Sequence, residues 1–201
     1  MNFFFKIAAW LFHPLLMPLL GVAIYFRVTP RYIIPEMMYS KLLVVFILTF
    51  LIPVLLFFLL KTLGVINSIH LKEVRERRLP LMLQCFLFII VIKMVFEPYH
   101  YPELYYFFVA TLISAICAFV LVLVKFKVSL HMIGIAGVTM FLIALSIHFK
   151  INTLVLISIL FLVNGWAASS RLHTQSHTPV ELIFGFLIGL IPQLILVNYW
   201  L

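Results

Sequence analysis

Read for polarity, the chain is a succession of long apolar runs parted by short polar breaks. The runs cover residues 3–26, 42–60, 81–96, 104–124, 131–149, 154–168 and 180–201. None alternates apolar with polar positions, so they predict helices and not the strands of a barrel. A helix crossing a bilayer needs about 20 apolar residues, within a range of roughly 17–25. By that measure the runs at 81–96 and 154–168 are short. The run at 3–26 is interrupted by His13-Pro14 and Pro18, where a helix must kink or turn back. The pattern predicts an all-α polytopic transmembrane bundle of six or seven spans. No polar linker separates two units, so residues 1–201 form a single integral membrane domain. N-terminal helices occupy 1–63 and a core occupies 64–201. The first run lacks the small-residue cleavage site of a signal peptide and reads as a retained anchor.

Composition agrees with the pattern. Charged residues make up 10% of the chain and mean hydropathy is +1.25; a soluble domain carries about 25% charged residues, so that class is excluded. The formal charge of +8 belongs in loops, against lipid headgroups. Nucleic acid is not an expected partner, because no basic run is long and the aromatics lie in apolar segments. Cys85 and Cys117 fall inside apolar runs and read as packing residues. All six acids are glutamates, and only Glu73 and Glu76 lie close together. Hard cations need several carboxylate oxygens, so no metal site and no cofactor are expected. Seven histidines raise haem ligation as a weaker alternative, but ligands must face each other within the bilayer, and most of these stand at helix ends.

Consecutive spans alternate direction, so loops two spans apart open on one face. The loops at 61–80, 125–130 and 169–179 meet that condition. They contain "HLKEVRERRLP", "KFKVSLH" and "SSRLHTQSHTP". The opposite loops, "RVTPRYIIPE", "EPYHYPE" and "FKIN", read as connections. Nine lysines and arginines fall on the first face and five on the other. Setting aside Lys72, Arg78, Lys127 and Arg171 as ligands of an anion leaves five against five, so charge does not orient the chain.

Cations, hydroxyls, helix starts and two histidines on one face suit a phosphate. Helix N-termini offer unpaired N–H groups and the positive end of a dipole. Arginine adds forked, charge-assisted bonds. Two histidines can share a phosphoryl transfer, one attacking phosphorus and one protonating the leaving oxygen. Thr178-Pro179-Val180-Glu181 also reads as a capping box with proline at the first helical position. His13, His100 and His148 take no role in this scheme.

These residues resemble the type 2 phosphatidic acid phosphatase and vanadium haloperoxidase superfamily. Ser170-Arg171, five residues, His177, three residues and Glu181 resemble its third signature, in which the acid is aspartate. Val128-Ser129-Leu130-His131 resembles its second, Pro-Ser-Gly-His, with serine and histidine kept. Lys72 to Pro80 resembles its first, Lys, six residues, Arg-Pro, with Leu79 at the arginine position and arginine at 78. The resemblance spans roughly residues 70 to 200. It implies a phosphatase-like core and metal-independent hydrolysis of a membrane lipid phosphate or diphosphate, with His177 as nucleophile, Glu181 orienting it and His131 as general acid. Arg171, Ser129, Lys72 and Arg78 would hold the phosphate, with Ser170 and Lys127 beside them. The expected partners are that lipid and the bilayer, and the expected location is the bacterial inner membrane. The departures at Leu79, Leu130 and Glu181 support an alternative, a catalytically degenerate relative that binds anionic lipid.

Overall fold

The computed structural model describes Phe5, Ile7, residues 10–64 and residues 74–201; Lys72 and the side chain of Arg75 lie outside the described residues. A 3-10 turn, Pro14–Leu16, leads into α1 (Met17–Val28). α2 (Pro35–Phe46) continues through a π turn, Ile47–Leu51, into α3 (Ile52–Thr62). A second 3-10 turn, Val74–Arg77, precedes α4 (Arg78–Met94). Then follow α5 (Pro102–Leu123), α6 (Leu130–His148), α7 (Leu154–His173) and α8 (Pro179–Leu196). There is no strand among the described residues.

The chain is a helical bundle with the lengths of an integral membrane protein. Among the described residues, five helices are long and apolar enough to cross a membrane: Pro35–Thr62, Pro102–Leu123, Leu130–His148, Leu154–His173 and Pro179–Tyr199. Over its described residues, every apolar run in the sequence is largely helical. The first is broken at His13, leaving the shorter apolar helix Pro14–Val28, and the third yields the 17 residues of α4.

Proline sets several boundaries. Pro35, Pro102 and Pro179 open helices, where the absent N–H costs nothing and φ is preset. Two prolines fall later and need compensation. In a straight helix the ring of Pro53 would meet the carbonyl of Thr49; the π turn Ile47–Leu51 widens the helix there. Pro192, inside α8, leaves the Ile188 carbonyl without its helical donor. The Ser114 hydroxyl of α5 donates to that carbonyl at 2.8 Å and so replaces the lost helical donor. Beside it, Gln193 Nε2 and Thr111 Oγ1 both donate to the Phe107 carbonyl, at 3.1 and 2.8 Å.

Lysine and glutamine end three helices in the left-handed conformation: Lys125 (φ 65°), Lys150 (φ 54°) and Gln175 (φ 50°). After each, paired backbone bonds close the helix, as in Ser176 N to Arg171 O at 3.0 Å and Gln175 N to Leu172 O at 3.0 Å.

The closest helix pair is α6 and α8. Without a hydrophobic force between helices in lipid, small residues that admit close approach decide packing. α8 carries Gly185 and Gly189, four apart. A Cβ on Gly185 would meet the Ser129 carbonyl at 2.7 Å, and one on Gly189 would run into the Ile133 carbonyl. Gly134 of α6 admits Met17 in the same way, at 2.6 Å from the Met17 Cγ.

At the end away from the three polar loops, Glu103 is fully buried. Arg31 holds it with two contacts, Nη2–Oε1 at 2.6 Å and Nη1–Oε2 at 3.4 Å. Tyr25 donates to it at 3.3 Å, and His148 Nε2 lies 3.3 Å from Oε1. This network joins the α1–α2 connection to α5 and α6.

A β-branched residue at the α6–α8 contact is expected to break the bundle. Gly189→Val should lower stability by about 1–3 kcal/mol or more. Gly165→Ala, on α7 with nothing within 4 Å, should be neutral or stabilising by up to about 1 kcal/mol. Thermal unfolding of the detergent-solubilised variants measures both.

Candidate anion site

The loop after α7 is built to return its side chains to the bundle. Gln175 turns the chain in its left-handed conformation. The Thr174 and Ser176 hydroxyls pair at 2.8 Å. Thr178 then caps α8: its hydroxyl accepts from Glu181 N at 3.3 Å, and Glu181 Oε2 accepts from Thr178 N at 3.2 Å. The predicted capping box is present. The same Glu181 Oε2 lies 2.7 Å from His177 Nδ1. One carboxylate oxygen of Glu181 thus meets both the cap of α8 and the His177 ring.

A carboxylate only accepts, so His177 Nδ1 carries the proton of that bond. In the neutral ring Nε2 keeps its lone pair. The His177 side chain is 6% exposed, yet its ring fronts a cavity of about 1460 Å³. Burial holds the His177 pKa below its ordinary value, and the charges of Lys127 and Arg77 push it the same way; Glu181 opposes them through its hydrogen bond and its charge. Burial likewise lowers Lys127, with Arg77 adding to it and Glu181 opposing. Arg77 is lowered by burial and supported by Glu181. One carboxylate thus acts on all three groups.

The other polar loops close around this pair. Lys127 Nζ donates to the Ser176 carbonyl at 2.8 Å. Ser129 N donates to the Glu181 carbonyl at 3.3 Å, which fixes the start of α6 beside the start of α8. His131, in the first turn of α6, lines the cavity with Lys127, Arg171, His177 and Arg77. The predicted convergence of three loops at one end is observed for their described residues.

Several predicted residues stand elsewhere. Ser129 is fully buried and does not line the cavity; its Cβ lies against Gly185, and its hydroxyl is buried without a hydrogen bond. Ser170 is fully buried and donates to the Phe5 carbonyl at 2.7 Å; Arg171 Nη2 donates to its hydroxyl at 3.2 Å. Arg78 lies off the cavity, while its neighbour Arg77 is on it. Lys72 lies outside the described residues. The resembled signature singled out Arg78; the 3-10 turn before α4 changes the rotation per residue, and Arg77 lines the cavity instead.

Beyond this polar end the cavity is mostly apolar, with Gln84, Thr111 and Ser114 among its walls. Its walls include Val54, Phe57, Leu81, Phe88 and Gly137, and it reaches Phe107 and Gln193. Gln193 is about 21 Å along the axis of α8 from Pro179. The shape joins a cationic rim to an apolar depth within one space. Among the described residues no group of three or more metal-ligating side chains forms.

The electrostatics are testable. Glu181→Gln keeps a residue suited to the capping box and removes the charge that favours the imidazolium, so the His177 pKa should fall further. Lys127→Ala should raise it. Histidine ring titration by NMR reads both. Because the folded-state pKa lies below the unfolded value of about 6.5, the unfolded state binds more protons between the two values. The stability His177 contributes is therefore full above about pH 6.5 and is lost as pH falls through its folded pKa; thermal unfolding across that range should show the decline and His177→Gln should diminish it. Compared with protein-family models, curated proteins and solved structures, the chain matches none.

Proposed function

We propose that the chain is a metal-independent phosphatase of a membrane lipid phosphate or diphosphate, with the phosphatase-like core suggested by its signatures. The observation that carries this reading is the His177–Glu181 pair. A neutral imidazole, held by a carboxylate at 2.7 Å, stands on a cavity rimmed by Arg77, Lys127, His131 and Arg171 and floored by apolar side chains. The headgroup would sit at the rim and the lipid tail between the helices. His177 Nε2 would attack phosphorus, and the bond to the leaving oxygen would break as His131 gives that oxygen a proton. Water would then attack the phosphohistidine, pass a proton to His131 and release phosphate with cleavage of the P–N bond. The cations would hold the charge that builds on the phosphoryl oxygens.

A second reading, binding of anionic lipid without turnover, is favoured by particular residues. Leu130 fronts the cavity where the resembled signature has glycine, and Ser129 and Arg78 do not line it.

The two readings separate on purified protein with phosphatidic acid, phosphatidylglycerophosphate and polyprenyl diphosphate. Catalysis predicts phosphate release that persists in a chelator, is blocked by vanadate and falls about 10⁴-fold or more in His177→Ala. Glu181→Gln should cost about 10²-fold or more. Lipid binding with no release, equal in wild type and His177→Ala, would establish the second reading.

A further inference from the structure

His13 took no role in the sequence, yet the fold delivers it to the cavity. It precedes the 3-10 turn Pro14–Leu16 and caps it: its Nδ1 accepts from Leu15 N at 3.4 Å. Pro14 and Met17 pack directly on Gly134 of α6, where a Cβ would meet Met17 Cγ at 2.6 Å and Pro14 Cα at 3.8 Å. Gly134 stands three residues after His131, on the same helical face. The missing side chain thus lets the kinked segment settle against the first turns of α6. The result is a His13 ring 5.8 Å from the His131 ring, edge to face at 78°. Arg171 is near enough to act on His13 electrostatically, and all three residues line the cavity.

The backbone cap leaves one end of the ring available. Because Nδ1 accepts, neutral His13 carries its proton on Nε2. An N–H donor then stands beside a second imidazole and a guanidinium, at the rim of a cavity whose depth is apolar.

We propose that His13 is a ligand-contacting residue, its Nε2–H donating to a phosphoryl oxygen held between His131 and Arg171. This rests on the anion-site reading above, and the shared chemistry is a phosphate, free or on a lipid headgroup. The first apolar segment thereby contributes to the site, which the three polar loops alone do not complete.

His13→Asn tests it. Asparagine is among the best N-cap residues, so the turn keeps its cap, while the distal Nε2–H is lost. The full-length protein in detergent is titrated with inorganic phosphate in one arm and short-chain phosphatidic acid in the other, and thermal unfolding confirms the fold. The expected result is an affinity about tenfold weaker or more in at least one arm, as for a lost hydrogen bond to a charged group, with thermal unfolding unchanged. The arm with the tighter wild-type affinity identifies the source of the phosphate. Wild-type affinity in His13→Asn together with loss in His13→Ala would make His13 a cap alone and overturn the proposal, leaving the anion site intact. A wild-type protein that binds neither probe would overturn both.

Discussion

The site depends on how closely α6 and α8 approach. Gly185 and Gly189 present bare backbone to the carbonyls of Ser129 and Ile133, and no other residue type fits there without moving one helix. That contact places the two helix starts side by side, close enough for Ser129 N to bond the Glu181 carbonyl. His131 and His177, 46 residues apart in the chain, then stand on one cavity. In lipid, where apolar surface gains nothing by leaving its surroundings for another helix, such backbone contact carries the specificity of packing.

A second constraint is that backbone groups freed inside a membrane bundle must find new partners. The pairing of Ser114 with the carbonyl freed by Pro192, and of Gln193 with Phe107, ties α5 to α8 where each would otherwise be weakest. The Arg31–Glu103–Tyr25–His148 network does the same for the far end. Polar residues scattered through apolar helices are thus mortar between them. At the candidate anion site, by contrast, polar groups face a large open space.

Much of this was legible in the sequence, for identifiable reasons. Apolar runs without alternation read as helices because the bilayer permits little else, and Pro35, Pro102 and Pro179 mark helix starts by a local rule. The capping box at Thr178 and Glu181 and the convergence of three loops follow from spacing and parity. Other features depend on rotation and contact, which spacing does not encode. The choice of Arg77 over Arg78 turns on a 3-10 segment. Ser129 and Ser170, chosen as anion ligands, pack instead against Gly185 and Phe5. His13 reaches the cavity only because Gly134 lets its segment settle on α6. The Glu103 network joins residues up to 123 positions apart, from Tyr25 to His148, and nothing in any one segment announces it. The Gly185–Gly189 spacing was visible and is a signal that sequence reading could have used.

The unequal treatment of charge at the two ends has a consequence for selectivity. At the far end Arg31, Tyr25 and His148 converge on the one buried carboxylate of Glu103; at the near end Glu181 acts on Arg77, Lys127 and His177 while Arg171 adds a further cation to the cavity. The near end therefore projects a positive potential that reaches about 8–10 Å into the surrounding salt solution, enough to enrich any anionic headgroup diffusing past in its leaflet. Such a field does not tell one headgroup from another, and the abundant lipids of the leaflet compete for it. On the proposed lipid-phosphate reading, discrimination would come from the largely apolar depth of the cavity, through the length and branching of the tail it admits.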